Sequence, residues 1–309
     1  MQTPNVHFQR LMDLARRAPA ARTAVAWPCD PGALDAALAA RAAGLMDPVL
    51  VGSAAAIRAA AATGGFDLSG ITIESVDDAP GAATRCVALA AGGEVAAIMK
   101  GSLHTDELMA AVVAREGGLR TARRVSHVFA MGAPRFGRLL FITDAAVNIA
   151  PDLEAKRDIV QNAIEFAISL GVAHPRVAIL AAVETVNPKM QSTLDAAALC
   201  KMADRGQIRG GILDGPLAFD NAISPESART KGIASGVAGA ADILVAPNLE
   251  AGNMLYKELV YMADAFAGGV VLGTRVPVIL TSRADSLESR LAACACARIH
   301  AGAAERRGG

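Results

Sequence analysis

Short apolar runs alternate with helix-patterned stretches along almost the whole chain. The runs are TAVAW (23–27), PVLVG (48–52), ITIESV (71–76), VAAIMKG (95–101), VSHVFAM (125–131), LLFITD (139–144), RVAILAAV (176–183), GGILDGP (210–216), DILVAP (242–247), GGVVLG (268–273) and PVIL (277–280). Their length and their polar, Gly or Pro boundaries are those of buried strands. Between them, stretches 32–43, 79–91, 105–115, 153–170, 191–204, 251–267 and 285–300 repeat apolar residues at helical spacing. Such alternation requires crossover connections and mostly parallel sheets, an α/β fold. The change of domain is expected near 142–151, where two strand-like runs flank a polar turn.

In open α/β sheets, ligands bind outside the carboxyl ends of the strands. Polar residues gather there in six places: Lys100, Gly101 and His104; Asp144 and Asn148; Glu184, Asn187 and Lys189; Asp214; Asn248, Glu250 and Asn253; Ser282 and Arg283. One such set reads as a helix cap, whereas six point to a shared cleft. Each residue keeps two readings. Asp144 lines a site or caps a hinge. His104 contacts a ligand or caps the helix opening at Thr105. Asn253 and Lys257, one turn apart, contact a ligand or are simply solvated. Asp214 and Asp220 line the cleft or shape the GPLAF turn between them.

The segment TSRADSLESRLAA (281–293) carries the most chemistry. It joins the strand PVIL to a helix carrying Leu287, Leu291 and Cys294. Free N–H groups and the positive end of the helix dipole attract anions there. Ser282 adds a donor, Arg283 adds a fork that fits phosphate, and Asp285 follows two residues later. Plain capping is the alternative.

Composition narrows the classes. Of 309 residues, 53% are hydrophobic but only 4% aromatic, so small aliphatic side chains fill the core. Lys+Arg and Asp+Glu balance at 30 each, without the concentrated basic face of a nucleic-acid binder. The N-terminal segment has no long apolar core of a secretory signal, and no run approaches a membrane span. A cytoplasmic protein with no membrane partner is the expectation. Cys29, Cys86, Cys200, Cys294 and Cys296 form no CxxC pair and read as small hydrophobes in a reduced compartment. The five histidines show no metal-ligand spacing with them, so no metal site is expected.

Longer motifs, from about residue 95 to the C-terminus, resemble the phosphate acetyl/butyryltransferase family. They are KGSLHTDELMAAVV, VSHVFAM, LLFITDAAVNIAPDLEAKRDIVQNAIEFA, AAVETVNPKMQSTLDAAAL, QIRGGILDGPLAFDNAIS, APNLEAGNMLYKELVYMADA and VPVILTSRADS, in order. The details ETVNPKMQ and LTSRADS are closer to the butyryl-type branch. The resemblance implies two α/β domains of isocitrate/isopropylmalate dehydrogenase type, with the active site in the interdomain cleft. The expected boundaries are 1–143 plus about 284–309 for one domain, and 144–283 for the other. It implies reversible transfer of a short acyl group between CoA and phosphate, by direct thiolate attack. No metal or redox cofactor is implied, CoA being a substrate, and a homodimer or higher homo-oligomer is expected.

The resemblance assigns Ser282 and Arg283 to the phosphate and thiol end. Lys100, His104, Asp144, Asn148, Asn187, Lys189, Asp214 and Asn253 are the candidate binding residues. Two positions depart from the acetyl-type pattern. Ser289 stands where such enzymes carry the aspartate proposed as base, leaving Asp285 and Glu288 as the nearby acids, with Asp285 favoured. Met109 stands where they carry an arginine, leaving Lys100 or Arg138 to supply charge. Two other classes compete. An NAD-linked oxidoreductase on a related fold would want clustered aspartates or a GxGxxG turn, and neither occurs. A non-catalytic CoA-binding relative draws on the Ser289 departure.

Overall fold

The computed structural model describes residues 5–17, 19–281 and 285–308. They form two compact units. A central unit comprises Met1–His7 and Ser126–Ala267, and a terminal unit comprises Phe8–Val125 and Gly268–Gly309. The chain thus crosses between units at 7/8, 125/126 and 267/268, whereas the sequence reading placed its crossings at 143/144 and 283/284.

In chain order the first stretch runs α1 (Val6–Arg16), β1 (Ala21–Ala26), α2 (Pro31–Ala42), β2 (Met46–Gly52), α3 (Ala54–Gly64), β3 (Thr72–Ser75), α4 (Ala79–Ala91), β4 (Ala97–Lys100) and α5 (Thr105–Val112). The second runs β5 (Ser126–Gly132), β6 (Leu140–Thr143), α6 (Leu153–Ser169), β7 (Arg176–Leu180), α7 (Gln191–Asp204), β8 (Ile212–Leu217), α8 (Phe219–Ile223), α9 (Pro225–Thr230), β9 (Ile243–Val245) and α10 (Leu249–Met262). The last holds β10 (Phe266–Leu272), β11 (Val278–Ile279) and α11 (Leu287–Gly308).

Strand order in the terminal unit is β3-β2-β1-β4-β11-β10. Every pairing there is parallel except β10 with β11. In the central unit the order is β5-β6-β9-β7-β8, parallel except for β5 with β6. Parallel strands are covered on both faces, which explains why β1, β4, β9 and β10 read as near-continuous apolar runs. Ala36, Ala37, Ala82 and Ala83 are buried on α2 and α4, so small helix faces pack close to the sheet. Phe129, Met131, Ile142, Leu180 and Leu244 anchor the central core.

All eleven apolar runs become strands, with shifted ends. The final helix begins at Leu287, and Ser286 caps it: its Oγ accepts from Ser289 N at 3.2 Å. Asp285 therefore precedes the helix rather than lying in its first turn. The stretch read as helix over 251–267 ends at Met262, and Phe266 and Ala267 already belong to β10. The apolar spacing of LVYMADAFA suits either element. Among the described residues no helix is long and apolar enough to cross a membrane.

Candidate active site

The terminal unit reverses its winding between β1 and β4, because β1 leads outward to β2 and β3 while β4 adjoins β11. A crevice forms outside strand ends at such a switch point. Here a pocket of about 530 Å³ is lined by Asp30, Gly32, Met99, Lys100, Thr281 and Arg290, among others. Two helix N-termini border it. Asp30 caps α2, its Oδ1 accepting from Ala33 N at 2.8 Å, and Pro31 fills the first helical turn. Arg290 lies in the first turn of α11, and its Nη1 donates to Gly32 O at 3.4 Å.

The floor is a close meeting of two strand ends. Gly101 N donates to Ala26 O and Ser102 N to Trp27 O, both at 2.9 Å. A Cβ on Gly101 would stand 2.4 Å from Ala26 O, so only glycine lets the strands close here. Trp27 takes a left-handed backbone, φ 54°, uncommon for a bulky residue and typical of functional turns. Lys100 ends β4, is 9% exposed, and donates from Nζ to Gly101 O at 3.1 Å and Leu103 O at 3.3 Å. An ammonium and a guanidinium thus reach one pocket beside two helix N-termini, the first of them already capped by the Asp30 carboxylate.

In the central unit the strand-end residues bond mostly to one another. Asp144 is buried. Its Oδ1 accepts from Ala146 N at 2.9 Å and Val147 N at 3.0 Å; its Oδ2 accepts from Asn148 N at 3.2 Å and Asn148 Nδ2 at 2.5 Å. Asn253 Nδ2 donates to Ala145 O at 3.1 Å, and Gly252 lets α10 approach, since a Cβ there would lie 2.6 Å from Asp144 O. Thr143 Oγ1 donates to His127 O at 2.9 Å. His127 is fully enclosed, and its Nδ1 has no hydrogen-bond partner among the described residues. Burial pushes its pKa down to about 4, against a smaller upward pull from Asp144, so the imidazole is neutral near pH 7.

A family model described as Phosphate acetyl/butaryl transferase matches residues 75–297, most of the chain. The chain belongs to that family. It is 57% identical to the phosphate acetyltransferase of Rhizobium meliloti over 95% of this chain and 93% of that protein. It is 44% identical to the phosphate butyryltransferase of Clostridium acetobutylicum over 91% of this chain and 93% of that protein. A branched-chain phosphotransacylase structure from Enterococcus faecalis V583 matches with TM-score 0.80 and 31% identity, covering 91% of this chain and 99% of that one. This protein is therefore an acyltransferase.

The structure sorts the family-derived candidates. Ser282 and Arg283 lie outside the described residues. Lys100 lines the pocket at the β1–β4 switch point. His104 does not: it is exposed at the N-cap of α5, where its backbone N–H donates to Glu107 at 2.8 Å. Glu288 is half-buried in the first turn of α11, and burial raises its pKa. Ser289, at the aspartate position, is buried against Ser286. Asp144, Asn148 and Asn253 come together around one turn. Asn187 and Lys189 are exposed on the turn before α7, where Asn187 Oδ1 accepts from Lys189 N at 2.9 Å.

Asp214 does not end its strand. It pairs with Ala178 inside β8, which continues to Leu217, and its Oδ1 accepts from Gly215 N. It lies near Cys200 of α7, whose thiol is pushed up to about 12 by burial first and Asp214 second. Arg138 is held by Asp242 at 3.2 Å and stacks on Phe136 within the central unit.

Sequence reasoning missed Asp30, Arg290 and His127. A D-P-G triplet after TAVAW signalled the first as a cap. Arg290 lies four residues after Ser286, one turn into the helix. Nothing in VSHVFAM distinguished a buried histidine whose Nδ1 lacks a hydrogen-bond partner among the described residues.

Proposed function

We propose that this phosphotransacylase interconverts a short-chain acyl-CoA plus phosphate with acyl phosphate plus CoA, the acyl group being acetyl to butyryl. The observation that carries the reading is the cationic pocket at the β1–β4 switch point, with Lys100 and Arg290 beside two helix N-termini. Both directions of the reaction bring anions together, and the attack on carbonyl carbon builds charge on its oxygen. Lys100 and Arg290, together with Ser282 and Arg283, would hold the phosphoryl group and offset that charge. The CoA thiolate then attacks the acyl carbon directly, the C–S bond forming as phosphate leaves. No covalent enzyme intermediate, metal or redox cofactor enters the scheme. Asp144, Asn148 and Asn253 act as a scaffolded turn.

Two further readings belong with it. The compact units are two α/β domains of the isocitrate/isopropylmalate dehydrogenase kind. The chain works in the cytoplasm as a homodimer or higher homo-oligomer. The test is phosphate-dependent thiol release from acetyl-, propionyl- and butyryl-CoA, with and without EDTA. Release from at least one, insensitive to EDTA, is expected. No release from any overturns the reaction, and CoA binding without turnover would favour a non-catalytic relative. Arg283→Ala should cost roughly 3 kcal/mol of transition-state stabilisation, and Arg283→Lys should recover little of it.

A further inference from the structure

A second cavity opens beside the turn between β5 and β6. It measures about 370 Å³, lies wholly within the central unit, and shares no lining residue with the Lys100 pocket. Buried Met131 and Leu140 line it, together with Phe136, Phe219, Ile223 and Leu259. That size and that apolar lining suit a small organic ligand. Arg135 and Asp264, both exposed, bring charge to the same cavity. Neither side chain makes a hydrogen bond or ion pair among the described residues. Opposite charges thus border one apolar space without closing on each other.

Asp264 is costly where it stands. It follows the C-terminus of α10, where the negative end of the helix dipole repels a carboxylate. It also takes a left-handed backbone, φ 51°, in a place where helices usually end on glycine or asparagine. Asparagine would satisfy that turn without the repulsion, so aspartate adds only its charge. The helix end that repels a carboxylate attracts a cation, and the two together favour an ammonium group. Arg135 offers the reverse, a planar fork that fits a carboxylate. An ammonium and a carboxylate joined to an apolar body are the chemistry of a free α-amino acid with a large hydrophobic side chain.

We propose that this cavity binds such an amino acid. Its carboxylate meets Arg135, its ammonium meets Asp264 and the end of α10, and its side chain enters among Phe136, Phe219 and Leu259. The site is independent of the acyl-transfer reading, because its readout is binding rather than turnover.

Titration calorimetry of the full chain with leucine is the test. Three analogues each lack one group: 4-methylpentanoate the ammonium, 3-methylbutylamine the carboxylate, and alanine the large side chain. Leucine should bind, and each analogue should bind about tenfold or more weakly than leucine. Arg135→Met and Asp264→Asn should each weaken leucine by about tenfold or more. Both residues are exposed and asparagine tolerates the left-handed backbone, so both variants should unfold at close to the wild-type temperature without ligand. Absence of binding by leucine and by phenylalanine at roughly 10 mM overturns the site. An analogue that equals leucine overturns the amino-acid assignment, and binding that both variants leave intact places the ligand elsewhere and overturns the proposal.

Discussion

Two sets of strand-end residues in this protein read alike in sequence and behave differently in structure. Around Lys100 of β4, Asp30 at the start of α2, Thr281 just after β11 and Arg290 of α11 border an open pocket. Around Asp144, the carboxylate accepts from Ala146 N, Val147 N and both nitrogens of Asn148. Both places satisfy the rule that ligands gather outside strand carboxyl ends. What separates them is whether the polar groups border a cavity. A carboxylate holding several donors of its own turn is structural work, whereas Lys100 and Arg290 face a space large enough to admit an anion.

Removing the cation on the open side should have the largest effect. Arg290→Ala should lower kcat/KM about 10²- to 10³-fold, or roughly 3–4 kcal/mol, with a much smaller change in unfolding free energy. Arg290→Lys should recover little if the guanidinium grips phosphate with two donors. Steady-state kinetics with phosphate varied would decide. A loss in stability without a loss in turnover would make Arg290 a helix-packing residue and erase the contrast.

The closed side should show the reverse balance. Asp144→Ala leaves the N–H groups of residues 146 and 147 and both nitrogens of the buried Asn148 without their acceptor, at a cost of about 3 kcal/mol in unfolding free energy. Turnover per folded molecule should stay near wild type at a temperature where the variant is folded. Denaturant unfolding and kinetics on the same sample separate the outcomes. Lost activity with full stability would show that Asp144 contacts substrate.

His127 extends the closed side to pH. Its folded pKa is depressed by burial, so the unfolded chain binds a proton that the native one refuses. The stabilising contribution is present above the ordinary value near 6.5 and is lost as pH falls toward about 4. Stability should drop over that window by roughly 3 kcal/mol on account of this residue. His127→Phe, whatever it does at pH 7, should flatten the slope between pH 6.5 and 4. An unchanged slope would mean the imidazole is hydrated in solution.

These contrasts also show what the sequence could carry. Strand existence was legible in all eleven runs, because parallel strands buried on two faces leave little room for polar residues. Lys100 at the end of VAAIMK was legible for the same reason. Strand ends were less so: GGILDGP reads as stopping at Asp214, yet β8 passes through Asp214 to Leu217. Asp285 looked like the opening of a helix that Ser286 in fact caps. Arg290 was invisible because its importance comes from Gly32 O, 258 positions away in the chain. Self-satisfaction of Asp144 is likewise a matter of turn geometry that residue type alone does not encode.

The smallest effect concerns the proton on CoA. A free thiol has pKa near ~8.5, so at pH 7 about 3% is already thiolate, and a general base can gain at most roughly 30-fold. Glu288 carries one property the role needs: burial raises its carboxyl, bringing it closer to working pH. Asp285, the sequence favourite, lies before the cap. If Glu288 is the base, Glu288→Gln should slow turnover about tenfold and remove the acid limb of the kcat–pH profile, while Asp285→Asn leaves the limb in place. The sign for stability runs the other way. A carboxyl whose folded pKa is raised contributes stability below its ordinary pKa and loses it as pH rises through the folded value. Glu288→Gln should therefore be slightly more stable than wild type at pH 7, the mark of a group retained for chemistry at a cost to the fold. A variant that gains stability yet keeps wild-type turnover and its acid limb would assign thiolate supply to solution, with Arg290 and the helix N-termini holding what arrives.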